Sequence, residues 1–237
     1  MRRLLVLWDI DYTLVNAGGV GGELYTKVFT ELYGRPLPQP GSMAGRTDRA
    51  IAREVLALAG LDGLDGLDQQ LLVFQAALNA TAAGFAARAR QVVTALPGAG
   101  AALAGLAALA PGPGPVVQSL LTGNIRPMAE IKLAAAGLTR HLDLEVGSYG
   151  DLHEIRAELV DPAREAAAAA YGHDFGGYGT VLIGDTPLDV AAALATGARA
   201  VGVASGGFST ADLAAAGAHA VLPDLTDTAA VVSAILG

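Results

Sequence analysis

The chain has 237 residues and not one cysteine. That excludes disulfides and thiolate metal centres, and it fits a reducing, cytoplasmic setting. Lysine is nearly absent too, with Lys27 and Lys132 the only two. Fifteen basic residues face 23 acidic ones, for a formal charge of −8. No basic stripe is left to grip a nucleic acid or an anionic membrane surface, so neither is expected as a partner. No uninterrupted apolar stretch reaches the ~20 residues of a membrane span. Met1-Arg2-Arg3 and the short apolar run after it imitate the start of a signal peptide. Asp9 and Asp11 break that run too early, and no small-residue cleavage site follows. Aromatics make up only 5% of the chain, and alanine is the largest contributor to the 52% hydrophobic content. This reads as compositional bias rather than function. A soluble cytoplasmic protein with a small-molecule partner is expected, and a monomer is compatible with it.

What the chain does have is a set of short apolar runs separated by alanine-rich segments of helical character. Candidate strands are Leu4 to Trp8, Val116 to Leu121, Leu142 to Val146, Thr180 to Ile183, Ala200 to Val203 and Ala220 to Leu222. Candidate helices between the later ones are Arg126 to Ala136, Pro162 to Tyr171 and Leu188 to Thr196. Alternating strands and helices predict an α/β fold with a doubly wound parallel sheet. The first two strands are more than a hundred residues apart, so a long insert is implied. Gly18 to Gly22 lead into it and Leu96-Pro97-Gly98 lead out. Within it Glu23 to Tyr33, Arg49 to Ala59 and Gln69 to Arg90 have apolar residues at helical spacing. The division expected is a Rossmann-like core over residues 1–15 and 97–237, with an α-helical cap subdomain over 16–96 on flexible connections. The repeat Leu61 to Asp68 lacks the residue order of a calcium loop and reads as an Asp-Gly turn. The Pro-Gly run at 111–115 reads as a surface connection.

Three strand ends carry polar groups suited to chemistry. After Leu4 to Leu7 comes Trp8-Asp9-Ile10-Asp11-Tyr12-Thr13, two carboxylates one residue apart at the end of a buried strand. Ligands of open α/β sheets bind at that end. Two acids there repel each other unless a cation sits between them, which suggests metal-assisted chemistry. The second strand ends in Thr122-Gly123-Asn124, a hydroxyl and a glycine at the start of a helix. That suits an oxyanion, although Thr-Gly-Asn is also an ordinary turn and helix cap. The third site is Gly184-Asp185-Thr186-Pro187-Leu188-Asp189. Asp185 or Asp189 alone could be a helix cap; five such side chains on three strand ends form a constellation that capping explains poorly. In the insert, Gly45-Arg46-Thr47-Asp48-Arg49 is the notable polar segment. Either Arg46 and Arg49 contact a substrate, or they are solvated while Thr47 or Asp48 caps a helix. The four histidines show no paired spacing, and His153 is a distant candidate for the site rim.

Taken together, Asp9-x-Asp11-x-Thr13, the strand ending at Thr122, and Gly184-Asp185-x-x-x-Asp189 resemble the signature motifs of the haloacid dehalogenase superfamily. The likeness runs over essentially the whole chain and is greatest to phosphoglycolate-phosphatase-like members, whose helical cap sits where this insert falls. The resemblance implies a Mg²⁺-dependent phosphomonoester phosphatase acting on a small phosphorylated metabolite, such as phosphoglycolate, a sugar phosphate or a phosphorylated glycoside. It implies Asp9 as the nucleophile that becomes an aspartyl-phosphate, and Asp11 as general acid and base. Thr13, Thr122, Gly123 and Asn124 fall around the phosphate. Asp9, the Asp11 carbonyl and Asp185 would ligate Mg²⁺, with Asp189 holding a metal-bound water or fixing the loop. For the basic residue that bridges nucleophile and phosphate, Arg156 is favoured over Lys132, because its separation from Thr122 resembles the usual pattern and an arginine fork suits phosphate. Tyr12 stands where many members have glycine, either on the pocket rim or packed beneath the cap. A dehalogenase is disfavoured because those enzymes lack the second aspartate. A phosphomutase on a sugar phosphate shares the same residues and would need a second phosphate site, from Arg46 or Arg49. A non-enzymatic phospho-acceptor module is the alternative of another class, with the cap and Asp11 against it.

Overall fold

A computed structural model describes residues 3–61, 66–109 and 116–237. Of the turn read over Leu61 to Asp68, residues 62–65 lie outside the described residues, as does the Pro-Gly connection at 111–115, while Gly66 to Asp68 already belong to a helix. The first strand, β1 (Leu4–Trp8), is buried along its whole length. Its side chains divide by parity: Leu4, Val6 and Trp8 enter one apolar cluster, Leu5 and Leu7 the other. A strand with both faces covered is the mark of a central position in a parallel sheet. Neighbours are in place on both sides, since β4 (Val116–Leu120) and β5 (Thr180–Gly184) each pair with it in parallel. With β6 (Arg199–Val203) and β7 (Ala220–Leu222) the sheet runs in the order β4-β1-β5-β6-β7.

Helices cover both faces, as a doubly wound sheet requires. On one side α5 (Ala99–Ala108), α6 (Arg126–Ala136) and α10 (Thr228–Leu236) supply Leu103, Leu133 and Ile235 to the core. On the other, α7 (Val160–Tyr171), α8 (Pro187–Ala195) and α9 (Thr210–Ala215) supply Ala163, Val190 and Leu213. The single tryptophan is fully buried, and its ring nitrogen donates to Gln118 Oε1 at 3.2 Å, so it brings no orphan donor into the core. The segment Leu142 to Val146 is not a strand. Asp143 accepts from the Glu145 backbone N–H, and the chain turns as a 3₁₀ helix over Leu144–Val146. The segment runs along the edge of β4, where Asp143 N donates to the Gln118 carbonyl at 2.8 Å, and an isolated bridge follows between Leu121 and Ser148.

Between β1 and β4 the insert begins and ends on a short ladder. There β2 (Val15–Asn16) pairs antiparallel with β3 (Thr94–Ala95), so the two connections are zipped together. Inside lie α1 (Val20–Tyr33), α2 (Asp48–Leu58), α3 (Gly66–Ala82) and α4 (Ala86–Val92). The stretch read as one helix from Gln69 to Arg90 is interrupted by a 3₁₀ turn at Ala83–Phe85. By length and composition Gly66–Val92 could cross a membrane. Its apolar stripe of Leu71, Phe74 and Leu78 is buried here, with Phe74 edge-on to Tyr25 at 5.5 Å. The same apolar cluster continues from these helices through α6 to the sheet, which seats the insert over the carboxyl ends of the strands.

Candidate active site

Parallel register brings three strand ends together. Trp8 lies opposite Leu120 in β4 and Ile183 in β5, so Asp9, Thr122 and Asp185 leave the sheet side by side. The Asp9 backbone N–H donates to the Ile183 carbonyl at 2.8 Å, which carries the ladder one residue past the strand. Asp9, Asp185 and Asp189 are buried, and an oxygen of each lies within 4.8 Å of the others.

Arg156 is the cation of this cluster. It arrives on the 3₁₀ turn Arg156–Leu159 after the edge segment and is itself buried. Nη2 lies 2.8 Å from Asp9 Oδ1 and 2.7 Å from Asp189 Oδ1, and it also donates to the Leu121 carbonyl at 3.0 Å. Asp189 is thereby committed on both oxygens, because Oδ2 accepts from Thr186 N and Oγ1 in a capping box at the start of α8. Asp185 is different. Its one side-chain donor is Thr13 Oγ1, at a long 3.5 Å. Burial, reinforced by Asp9 and Asp189, pushes its pKa up to about 8. Burial raises Asp9 to about 6 against the pull of Arg156.

The donor set is wholly carboxylate oxygen and under-compensated, which suits a hard divalent cation and none that prefers sulfur or nitrogen. Asp9 and Asp185 keep free oxygens for it. Asp189 works mainly by fixing Arg156 and the loop. Gly206, after β6, belongs to the same wall: a Cβ there would strike Asp185 Oδ2.

Asp11 points elsewhere. Its carboxylate takes two bonds from Lys132 Nζ, at 2.8 and 2.7 Å, and one from Asn124 Nδ2 at 2.9 Å. Lys132 reaches back from α6, is itself buried, and spends its remaining donor on Asn124 Oδ1 at 2.6 Å. So the two cations weighed from the sequence have separate positions: Arg156 lies beside Asp9, and Lys132 beside Asp11. The Asp11 side chain stays one-third exposed, so it is held yet reachable. Thr122 is fully buried and accepts from Asn124 N and Nδ2. Its hydroxyl therefore shapes the turn and does not cap α6, whose N-cap is Ile125.

A cavity of about 400 Å³ opens over these groups, bounded by Asp9, Asp11, Gly123, Asn124, Lys132, Arg156 and Asp185 from the core. The insert closes it with the glycine run, Tyr25, Ile51 and the segment Met43 to Asp48. Tyr12 is on the rim, 52% exposed, with φ of 56°. That left-handed conformation is costly for tyrosine; its carbonyl accepts from Ser205 Oγ, and its N–H donates to Val15 O at 2.8 Å.

The insert's loop is sewn to the core at several points. Asp48 N donates to the Gly123 carbonyl at 2.7 Å, and Ile125 N donates to Asp48 Oδ2 at 2.7 Å. Arg49 N donates to the Gly150 carbonyl at 2.8 Å, and Arg156 Nη1 to the Gly45 carbonyl at 3.3 Å. Gly123 permits this closeness, since a Cβ would overlap the Arg46 carbonyl oxygen. Thr47 caps α2, as one reading had it.

Two expectations for this loop need correcting. The Arg46 guanidinium lies in an ion pair with Glu54 and donates to Ala50 O, so it is not free to meet a substrate. Arg49 is away from the cavity; it donates to Gln75 Oε1 at 2.9 Å and faces Glu154 at 3.9 Å. His153 also sits apart, paired with Glu158 at 3.1 Å.

Sequence reading passed over two contributors. Asp48, part of the polar segment of the insert but singled out by name only as a possible cap, lines the cavity. The loop Ser205-Gly206 follows the fourth parallel strand, and the strand-end rule that found the other three sites applies to it equally.

Comparison with known proteins agrees with this geometry. The sequence model for haloacid dehalogenase-like hydrolases matches residues 6–194. No curated protein sequence matches significantly. Among solved structures, a protein assigned as a phosphatase, from Clostridium acetobutylicum, superposes with a TM-score of 0.67 at 16% identity, covering 98% of this chain and 100% of its own. A protein assigned as a beta-phosphoglucomutase, from Bacteroides vulgatus, gives 0.65 at 16%, covering 100% and 91%. A family hydrolase from Deinococcus radiodurans, solved with phosphate and sodium bound, gives 0.52 at 24%, covering 98% and 96%. With motif, fold and family model in agreement, the chain belongs to the haloacid dehalogenase-like hydrolases.

Proposed function

We propose that the protein is a phosphomonoester phosphatase that requires a divalent cation, Mg²⁺ being the ion best suited to an all-oxygen donor set. The observation that carries this reading is the separation of the two leading aspartates. Asp9 lies within the carboxylate cluster beside Arg156, whereas Asp11 is held outside that cluster with its side chain facing the cavity.

An Asp9 oxygen attacks phosphorus and the bond to the leaving oxygen breaks. Asp11 gives that oxygen its proton, then takes one from the water that attacks the phosphoryl group on Asp9. Arg156 and the backbone N–H groups around Gly123 face the charge that develops on the phosphoryl oxygens. Asp9, Asp185 and the Asp11 carbonyl would hold the cation, which supplies positive charge for the incoming phosphate. Lys132 and Asn124 orient Asp11, and neither is asked to touch phosphorus.

Proteins assigned as beta-phosphoglucomutases are among the structural neighbours, but the phosphatase reading is favoured here because the arginines that would make a second phosphate site are paired with Glu54, Gln75 and Glu154. A passive phospho-acceptor has no use for a positioned second aspartate under a cap. The test is hydrolysis of p-nitrophenyl phosphate by the purified protein with Mg²⁺, beside Asp9→Asn. The wild type should turn over and lose activity with EDTA, and the variant should be inactive while melting like the wild type. Full activity in Asp9→Asn overturns the assignment.

A further inference from the structure

Among the described residues, the cavity wall contributed by the insert holds no uncommitted positive charge. Three of the described residues that border the cavity are cationic: Arg46, Lys132 and Arg156. Lys132 is spent on Asp11 and Asn124. Arg156 is spent on Asp9, Asp189 and two carbonyls. Arg46 turns outward to Glu54, Ala50 O and Ser42 O. Arg53, within α2, is shared between Glu154 and Asp68.

The insert instead presents a carboxylate, Asp48, to the cavity. Its oxygens accept from Tyr25 OH at 3.0 Å and Ile125 N at 2.7 Å, so the group is fixed in place. Each oxygen keeps acceptor capacity for a ligand. The charge balance points the same way. With all five carboxylates ionised and Arg46 neutralised by Glu54, Asp9, Asp11, Asp48, Asp185 and Asp189 face Arg156 and Lys132, and a bound dication still leaves one net negative charge before any phosphate arrives.

Resting on the phosphatase reading above, we infer that the substrate is a phosphate monoester whose leaving group bears no second anionic group and donates a hydrogen bond to Asp48. Alcohols and polyols, neutral or amine-bearing, fit this wall. Phosphoglycolate, phosphoglycerate and bisphosphates do not, because their second anion would meet Asp48 with no partner. Met43, Ile51 and the Tyr12 ring offer apolar surface to the carbon skeleton. Asp48 is thereby a specificity-determining residue.

The experiment compares esters that differ only at the far end of the leaving group. With Mg²⁺ present, kcat/KM is measured for 2-hydroxyethyl phosphate, phosphoethanolamine and 2-phosphoglycolate, and for the longer pair glycerol 1-phosphate and 3-phosphoglycerate. p-Nitrophenyl phosphate is the reference. The hydroxyl and amine esters should exceed the matching carboxylates by at least about tenfold, since set like charges discriminate more strongly than a methylene does. In Asp48→Asn that ratio should shrink severalfold, with the carboxylate esters improving relative to the others. Carboxylate esters turned over as well as or better than their hydroxyl counterparts, while p-nitrophenyl phosphate is hydrolysed, would overturn this inference and leave the phosphatase reading standing. Inertness toward every ester, the reference included, would overturn the phosphatase reading and this inference with it.

Discussion

Arg156 is the residue on which the electrostatics of the site turn. Replacing it with methionine keeps much of the volume and removes the charge that lies within 3 Å of both Asp9 and Asp189. Truncating one partner of a buried ion pair costs about 3–5 kcal/mol, mostly because the other charge is left uncompensated. For a chain of this size each kcal/mol moves the melting temperature by about 2–4 °C, so metal-free Arg156→Met should melt on the order of 10 °C below the wild type.

The sign of the pH dependence follows from the raised carboxylates. Asp9 and Asp185 have folded pKa values of about 6 and about 8, against 3.8 for an exposed aspartate. A carboxyl whose folded pKa is raised binds more protons folded than unfolded, so the stability it contributes falls as pH rises toward that pKa. Losing Arg156 removes a pull that lowers both groups. The deficit of the variant should therefore be largest at roughly pH 8 and smaller near pH 5.5, where protonation relieves the repulsion. Melting curves in EDTA at the two pH values read this directly, and saturating Mg²⁺ should restore part of the loss. Arg156→Lys should fall between, since one ammonium cannot reproduce a planar fork that spans several acceptors. An Arg156→Met protein that melts with the wild type in EDTA near pH 8 would refute the reasoning.

For the wild type, the rise in melting temperature produced by Mg²⁺ should be greater near pH 8 than near pH 5.5, because below the raised pKa values the ion must displace protons; titration calorimetry in two buffers would show proton release at the lower pH. Gly206→Ala should weaken Mg²⁺ affinity at least about tenfold, because its Cβ would displace Asp185. Gly123→Ala should lower kcat/KM on esters by a similar order, since its Cβ would press the Arg46 carbonyl, and with it the Asp48 segment, away from the core. At Tyr12 the usual order of residues should invert. Tyr12→Gly should be more stable than Tyr12→Ala by about 1 kcal/mol in chemical denaturation, because only glycine relieves the left-handed backbone.

The sheet was legible wherever a strand is buried on both faces, because continuous apolar runs such as Leu4 to Trp8 have little else to be. Leu142 to Val146 imitated such a run but lies at the sheet edge, where Asp143 makes a local turn that competes with pairing. The aspartates were legible because they sit one to five residues past a strand end, where local sequence determines position. The partners of the cations were not. Arg46 lies eight residues before its partner Glu54, and Arg49 meets Gln75 and Glu154 from other elements, so only tertiary packing shows that both are consumed. Lys132 stood two turns into α6, too far to assign by spacing. Its long stem reaches back to Asp11, so the roles of the two cations emerged only in three dimensions. Asp48 was hidden by an adequate local explanation, the cap on α2.

The most direct test of the central claim, that Asp9 carries the phosphoryl group and Asp11 moves the protons, uses Asp11→Asn with p-nitrophenyl phosphate and Mg²⁺. The good leaving group needs no proton, so the first step should proceed while the water attack slows and the phosphorylated enzyme accumulates. Acid quenching and peptide mass mapping should then place one phosphoryl group on the peptide containing Asp9, together with a burst of p-nitrophenolate. A burst with the phosphoryl group on another residue, or steady turnover with none on the protein, would contradict the account.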